Sequence, residues 1–193
     1  MKPTVAFLAS LSLVSVMPAV RAQEEASLLA ETRKTALPVL PKVVQAMQTA
    51  VQENGPVGAI PVCKEKAPQL LQEVRQQTGW SIRRVSLKTR NPATGTPDAW
   101  EARQLADFNI RVANGAKPEQ LEVGEIVVAA GGQRSYRYLK ALPVAEVCLS
   151  CHGPADSLSA ELKAALARDY PQDRATGYAA GQVRGALSVI RPL

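Results

Sequence analysis

The chain has 193 residues, 46% of them hydrophobic and 21% charged, with a formal charge of +6. That size and balance suit one globular domain, or one domain with a helical extension. The positive excess is mild, aromatic residues make up only 4%, and no basic run occurs, so the charge fits solubility and docking to acidic partners and excludes a nucleic-acid-binding surface.

The first 23 residues read MKPTVAFLASLSLVSVMPAVRAQ. Lys2 supplies a positive start, Val5 to Val16 an apolar core, and Val20-Arg21-Ala22 a small-residue cleavage site before Gln23. This is the pattern of a secretory signal peptide, with an uncleaved anchor as the alternative. Removal of residues 1 to 22, which hold Lys2 and Arg21 and no acid, lowers the charge to +4. No cysteine follows the cleavage site, so a lipid anchor is not expected. Nothing downstream offers the ~18 apolar residues of a membrane-spanning helix. The expected product is periplasmic, with no membrane span in the mature chain.

From Gln23 to about Asn54 the pattern is helical: Val43, Val44, Met47, Ala50 and Val51 recur at helical spacing. Pro38 and Pro41 divide this stretch into two pieces. After the punctuating Asn54-Gly55-Pro56, Ile60, Cys63, Ala67, Leu70 and Val74 line one face of a second run closed by Gly79. Pro68 should kink that run or end a short first helix. Residues 80–88 (WSIRRVSLK) alternate like a strand. A loop rich in Pro, Gly and Thr follows, in which Asp98 caps a helix from Ala99 to Asn114 whose buried stripe is Leu105, Phe108 and Val112. Gly131-Gly132 centres a long hairpin. A short amphipathic helix (Leu158 to Arg168), a loop DYPQDRATGYAAGQ and a last strand VRGALSVI complete the chain. The four strands and their helices predict an α+β fold: an antiparallel sheet with flanking helices and an N-terminal helical extension. The expected division is 1–22 signal peptide, 23–54 helical extension, and 55–193 a single domain.

Residues 148–152, CLSCH, contain the only histidine and two of the three cysteines. Cys-x-x-Cys-His is the attachment pattern of c-type haem. Cys148 and Cys151 would add across the porphyrin vinyls as thioethers, and His152 would reach the iron from the same turn. A structural zinc needs four protein ligands, and Cys63 is the one further soft donor. A redox dithiol of thioredoxin type follows a strand in a βαβ unit, which this pattern lacks, and a disulfide across two intervening residues is strained.

With His152 on one face of the iron, the other has no second histidine to use. The candidates are Met47, Cys63, Lys64, Lys66 or an open position. Met47 sits in an apolar helical stripe, where methionine usually fills a core. An odd cysteine in an exported protein calls for an occupation, and thiolate is an established haem ligand. Cys63 is therefore the preferred sixth ligand; its bland reading is a small buried hydrophobe.

Four separated blocks, PVCKEKAPQL, GWSIRRVSLKTRNPATGTPDAWE, LPVAEVCLSCHG and YPQDRATGYAAGQVRGALSVI, resemble a PAS-like monohaem c-type cytochrome family, the Tll-type haem domain formerly described only as a domain of unknown function. The resemblance runs from about Asn54 to the C-terminus. It implies a PAS-like antiparallel sheet, one covalent haem c, thioethers at Cys148 and Cys151, and an unusual axial pair of Cys63 and His152. Thr94 to Thr96 depart from the family pattern, which carries an asparagine shortly after Arg-Asn-Pro. Arg83, Arg84, Arg90 and Arg184 lie in matching blocks and are candidate holders of the haem propionates, since guanidinium pairs well with carboxylate. Trp80, Trp100 and Tyr178 read as core or haem-wall packing.

Three functions compete. A PAS-like haem module with a displaceable anionic ligand suits redox or diatomic-gas sensing. A small six-coordinate haem protein with a mild positive face suits electron exchange with an acidic redox partner. Cys/His-ligated haems also serve sulfur-oxidising enzymes, but no second cofactor motif or catalytic constellation is evident here.

Overall fold

The structure is a computed structural model and describes residues 16–193. The positive start and nearly all of the apolar core assigned to the signal peptide lie outside the described residues. Among those described, no helix is long and apolar enough to cross a membrane.

Two long helices lead the chain, α1 (Val16–Ala36) and α2 (Val39–Gly58). The expected break falls at Leu37-Pro38, whereas Pro41 lies in the first turn of α2, where a missing N–H removes no helical bond. Gly55 adopts φ 68°, kinks α2 and lets Pro56 follow it without ending the helix. A π-helical turn (Val62–Lys66) then runs directly into α3 (Ala67–Thr78), which Gly79 ends in the left-handed conformation at φ 71°. Strand β1 (Ser81–Val85) is shorter than its alternation predicts. It stops where Ser86 leaves the ladder to bond the backbone of Lys88 and Arg184.

A single helical turn, α4 (Pro92–Gly95), interrupts what the composition presents as plain loop. Asn91 caps it by accepting from the Ala93 amide at 3.1 Å. Helix α5 (Ala99–Ala113) opens on a full capping box: Asp98 accepts from the Glu101 amide and Glu101 accepts from the Asp98 amide. The hairpin is β2 (Glu122–Val128) and β3 (Arg134–Pro143), turned at Ala129–Gln133 with Gly132 at φ 80°. The last elements are α6 (Glu146–His152), α7 (Ala160–Asp169, capped by Ser159) and β4 (Val183–Pro192).

The four strands form one antiparallel sheet in the order β1-β4-β3-β2. The last strand thus inserts between the first and the hairpin, a placement that no local pattern dictates. Alternation sends Ile82, Leu187, Val189, Tyr136 and Tyr138 to one face, where Leu28, Ala36, Val39 and Leu71 of the helical layer cover them. It sends Val85, Ala186, Leu139 and Ala141 to the other, under Leu105 and Phe108 of α5. Each such fully buried aliphatic or aromatic side chain contributes ~1.5–3 kcal/mol. Ion pairs Arg191–Glu31 (2.7 Å) and Arg134–Glu24 (2.8 Å) stitch α1 to the sheet. The fold is α+β, with a helical N-terminal stretch, as the alternation and helical periods predict. Away from the sheet, α7 buries Leu162, Ala165 and Leu166 against Ile60 and Tyr170, with Cys151 packed at the edge of that cluster.

Candidate functional site

Cys148, Cys151 and His152 sit on α6, about two turns long with no side-chain cap. A spacing of three places the two sulfurs on one side of the helix, and both cysteines are free thiols, partly buried. The helix ends at Gly153, whose backbone is pressed so closely on Leu149 that a Cβ there would lie 2.7 Å from the Leu149 carbonyl oxygen. Glycine after the histidine is thus a packing requirement.

Loop 173–182 closes over this turn. The Tyr178 amide donates to the His152 carbonyl at 2.9 Å, and the Gly177 amide to the Gly153 carbonyl at 2.8 Å. The His152 ring is fixed at Nδ1, which lies 2.6 Å from the Ala175 carbonyl oxygen. A carbonyl only accepts, so the proton is on Nδ1 and the lone pair is on Nε2. Burial, reinforced by the charges of Arg184, Arg90 and Arg84, pushes the imidazole down to about 2. At neutral pH it is a neutral ring with one oriented donor nitrogen, the state a metal ligand needs. Tyr178 stands edge-on to it, ring centres 6.3 Å apart.

Cys63 lies in the π-helical turn, partly buried. Such turns widen the backbone by one residue and recur at functional positions. It is near enough to Cys151 and Tyr170 for a negative sulfur there to oppose ionisation of both, although burial is the larger cause of each upward shift and carries Tyr170 to about 12. The turn is fastened from outside by Lys64, which pairs with Asp169 at 2.7 Å at the end of α7. The fold therefore brings a residue 85 positions before Cys148 to the neighbourhood of CLSCH. Met47 lies partly buried in α2, before the kink.

The four nominated arginines separate into two kinds. Arg83 faces α5, bonded to the Glu101 carboxylate and to the Thr96 carbonyl. Arg90 bonds Asp173 at 3.0 Å and the Cys151 carbonyl at 2.7 Å, bracing α6 against the loop. Arg184 directs Nε at His152 Nε2, 3.4 Å away, and donates Nη1 to Ser86 Oγ at 2.9 Å. Arg84 shares the sheet face of Ile82 and Leu187, and its charge is felt by His152, Tyr170 and Arg184. Neither Arg84 nor Arg184 has a carboxylate in ion-pair range among the described residues.

Sequence reasoning missed Tyr170, the Ala175 carbonyl, Asp173 and Ser86. Their only signal was membership of loop blocks with no period. An open cleft of about 530 Å³ adjoins the site between α5 and the loop, lined by Lys88, Leu105, Asn109, Tyr178, Gln182 and Val183. Among the described residues no three His, Cys, Asp or Glu side chains cluster as a bare metal site. The donor set instead suits a flat group that brings its own metal: two thiols on one helical face, one neutral imidazole nitrogen, a cysteine nearby, and uncompensated cations for acidic substituents.

A model of the Tll0287-like family matches residues 15–192. The crystal structure of the cyanobacterial haem-protein Tll0287 shares the fold with a TM-score of 0.55 at 24% identity, over 79% of this chain and 94% of that one. No curated protein matches. The chain belongs to the Tll0287-like family.

Proposed function

We propose that this member of the Tll0287-like family is a periplasmic monohaem c-type protein, with haem joined to Cys148 and Cys151 and used in redox or gas sensing. The observation that carries the haem reading is the state of His152. Its proton is committed to Ala175, its Nε2 lone pair faces the Arg184 Nε–H at 3.4 Å, a long contact that a haem iron would have to displace, and two thiols stand beside it on the same short helix. The name of the structurally similar haem-protein supports the same reading.

When bound, the haem supplies one-electron chemistry at iron. The chain's part is to fix the ligands and tune their surroundings. Ala175 orients the His152 ring and sharpens its basicity. Arg90 holds the Cys151 backbone, so the helix presenting the thiols keeps its place against Asp173. Cys63 is the sixth ligand in this reading. It comes from a π-helical turn rather than a regular helix, and from a partly exposed side chain, which favours a ligand that can be displaced. That feature favours sensing over electron transfer. Export, with residues 1 to 22 removed, would provide the compartment in which thioether attachment takes place.

The test is production with haem-maturation machinery. Haem should survive acid-acetone extraction and denaturing electrophoresis, and replacing Cys148 and Cys151 by Ala should abolish it; unchanged haem staining in that double variant would overturn the assignment. Cys63→Ala should convert a low-spin ferric spectrum to a high-spin or water-ligated one and raise the potential, because thiolate stabilises ferric iron. Carbon monoxide or nitric oxide binding readily to the reduced wild type would favour sensing. An inert six-coordinate iron in both oxidation states would favour the electron carrier.

A further inference from the structure

We infer that Asp173, paired with Arg90, is the positioning residue for His152: one carboxylate fixes both the backbone that leads into the histidine and the carbonyl that holds its ring. This deepens the haem reading and rests on it for what the ring does, though not for how the ring is held.

The two oxygens of Asp173 serve different elements. Oδ2 accepts from Arg90 Nε at 3.0 Å, and the same guanidinium donates Nη2 to the Cys151 carbonyl at 2.7 Å. Oδ1 accepts from the Ala175 amide at 2.8 Å, a side chain bonding its own backbone two residues on. The Ala175 carbonyl in turn accepts from His152 Nδ1–H at 2.6 Å. Cys151 precedes the imidazole in the chain and Ala175 faces it across the loop, and both are traced to one carboxylate. The surrounding backbone is tied down as well. The Asp173 amide donates to the Tyr170 carbonyl at 2.9 Å and the Arg174 amide to the Thr89 carbonyl at 2.8 Å, while Lys88 Nζ donates to the Thr176 carbonyl. Lys88, Thr89 and Arg90, just past β1, thus grip the loop at three successive places.

Both members of the pair are nearly out of water, their side chains 10% and 11% exposed. Such a pair adds little net stability, because desolvation offsets much of the attraction. What it supplies is geometry: charge-assisted bonds are directional, and the guanidinium fork reaches two elements at once. A ligating histidine needs the partner of its second nitrogen held still, since that partner selects the tautomer and the ring plane. An alanine carbonyl in a loop has no such rigidity of its own. Arg184 offers the ring only the long contact of 3.4 Å at Nε2, on the side that iron would take. It is the extra residue of a bulge, where Leu142 pairs with Gly185 and Pro143 with Val183.

The first experiment needs no haem. His152 is the only histidine in the chain, so nitrogen-15 histidine labelling of the haem-free full chain shows its two ring nitrogens by NMR without assignment. Wild type should carry the proton on Nδ1. In Asp173→Ala the Ala175 carbonyl loosens, and the share of the Nε2–H form should rise about fivefold, the worth of one net hydrogen bond. Asp173→Asn keeps an oxygen for the Ala175 amide and should hold the wild-type tautomer. Both variants break the ion pair, so a general loss of the pair would move them alike, whereas positioning through Oδ1 separates them. The second experiment uses the haem-loaded protein. Removing the anion while Arg90 stays favours ferrous iron, so Asp173→Asn should raise the potential by about 59 mV, a tenfold change in the oxidised-to-reduced ratio. Arg184→Gln removes a cation and should lower it. The exposed Asp107→Asn on α5 should leave tautomer and potential alone. A folded Asp173→Ala with the wild-type tautomer would overturn the inference, as would an Asp173→Asn that loses the tautomer as far as Asp173→Ala does, or whose potential matches that of Asp107→Asn. If Asp173→Ala fails to fold, Asp173→Ser takes its place, since a hydroxyl makes the same turn more weakly; a smaller rise in the Nε2–H form is then expected, and none overturns it. Should haem never attach, the haem reading fails by itself, and the tautomer still decides whether Asp173 positions His152.

Discussion

Two groups of arginines flank the same sheet and are treated in opposite ways. On the α5 face, Glu101 is fully buried and accepts from Arg83, from Ser188 Oγ at 2.5 Å and from the Asp98 amide at 2.8 Å, with Arg137 3.6 Å away. Arg137 also pairs with Asp98 at 2.6 Å and lies over the Trp100 ring at 4.4 Å. Nearly every polar atom there has its partner. At the His152 end, Arg84 and Arg184 have no carboxylate in ion-pair range among the described residues. The first arrangement fastens a helix to a sheet. At the second, Arg184 is held by Ser86 Oγ, the Lys88 carbonyl and the face of Tyr178.

The comparison breaks most severely at Glu101. Glu101→Ala leaves Arg83 and Arg137 facing a void without their carboxylate, and should cost ~3–5 kcal/mol of stability, measured by denaturant unfolding. The haem spectrum of what remains folded should be unaltered, since Arg83 belongs to the scaffold. A spectrum altered there would erase the distinction between the two groups.

Gly185→Ala acts on the second group through the backbone. The new methyl would meet the Val85 carbonyl and, at 3.1 Å, Ser86 Cβ. Relief requires the bulge to move, at ~1–3 kcal/mol, and the move withdraws Arg184 from His152. The potential should fall in the same direction as in Arg184→Gln. Stability lost with the potential intact would separate the bulge from the aim of Arg184.

A smaller effect sharpens what a closed network does with pH. Glu122 on β2 accepts from Arg33 of α1 and from Tyr138 at 2.5 Å. Burial opposes its ionisation, yet those bonds prevail and hold the carboxyl below its ordinary 4.5. The folded form therefore binds its proton later than the unfolded chain. Its contribution is complete above about 4.5 and disappears as pH falls through the lower folded value. Glu122→Gln should be slightly less stable at neutral pH and show a shallower decline on acidification, read from unfolding temperature against pH. An identical decline in both proteins would show that Glu122 is not among the groups responsible.

The smallest expected effect is none. Met47→Leu preserves volume in a partly buried position of α2 and should leave the optical spectrum of the haem-loaded protein unchanged. Loss of the low-spin spectrum would show that the sixth ligand is the thioether and not Cys63.

The sequence by itself determined the elements and the chemistry that is local. Alternation placed the four strands, helical spacing and Asp98 placed α5, and Gly131-Gly132 placed the hairpin, because each depends on neighbours within a few residues. CLSCH likewise kept its pattern local, since both thiols and the imidazole sit on one short helix. Tertiary structure alone decided the rest. It set β4 between β1 and β3, brought the π-helical turn of Cys63 to the neighbourhood of CLSCH, and gave His152 its carbonyl partner from a loop with no period. Above all it sorted four arginines that look alike in sequence. Whether a guanidinium meets Glu101 or an imidazole depends on which face of the sheet it leaves from. One extra residue in a strand paired with a segment forty positions away is enough to change that face.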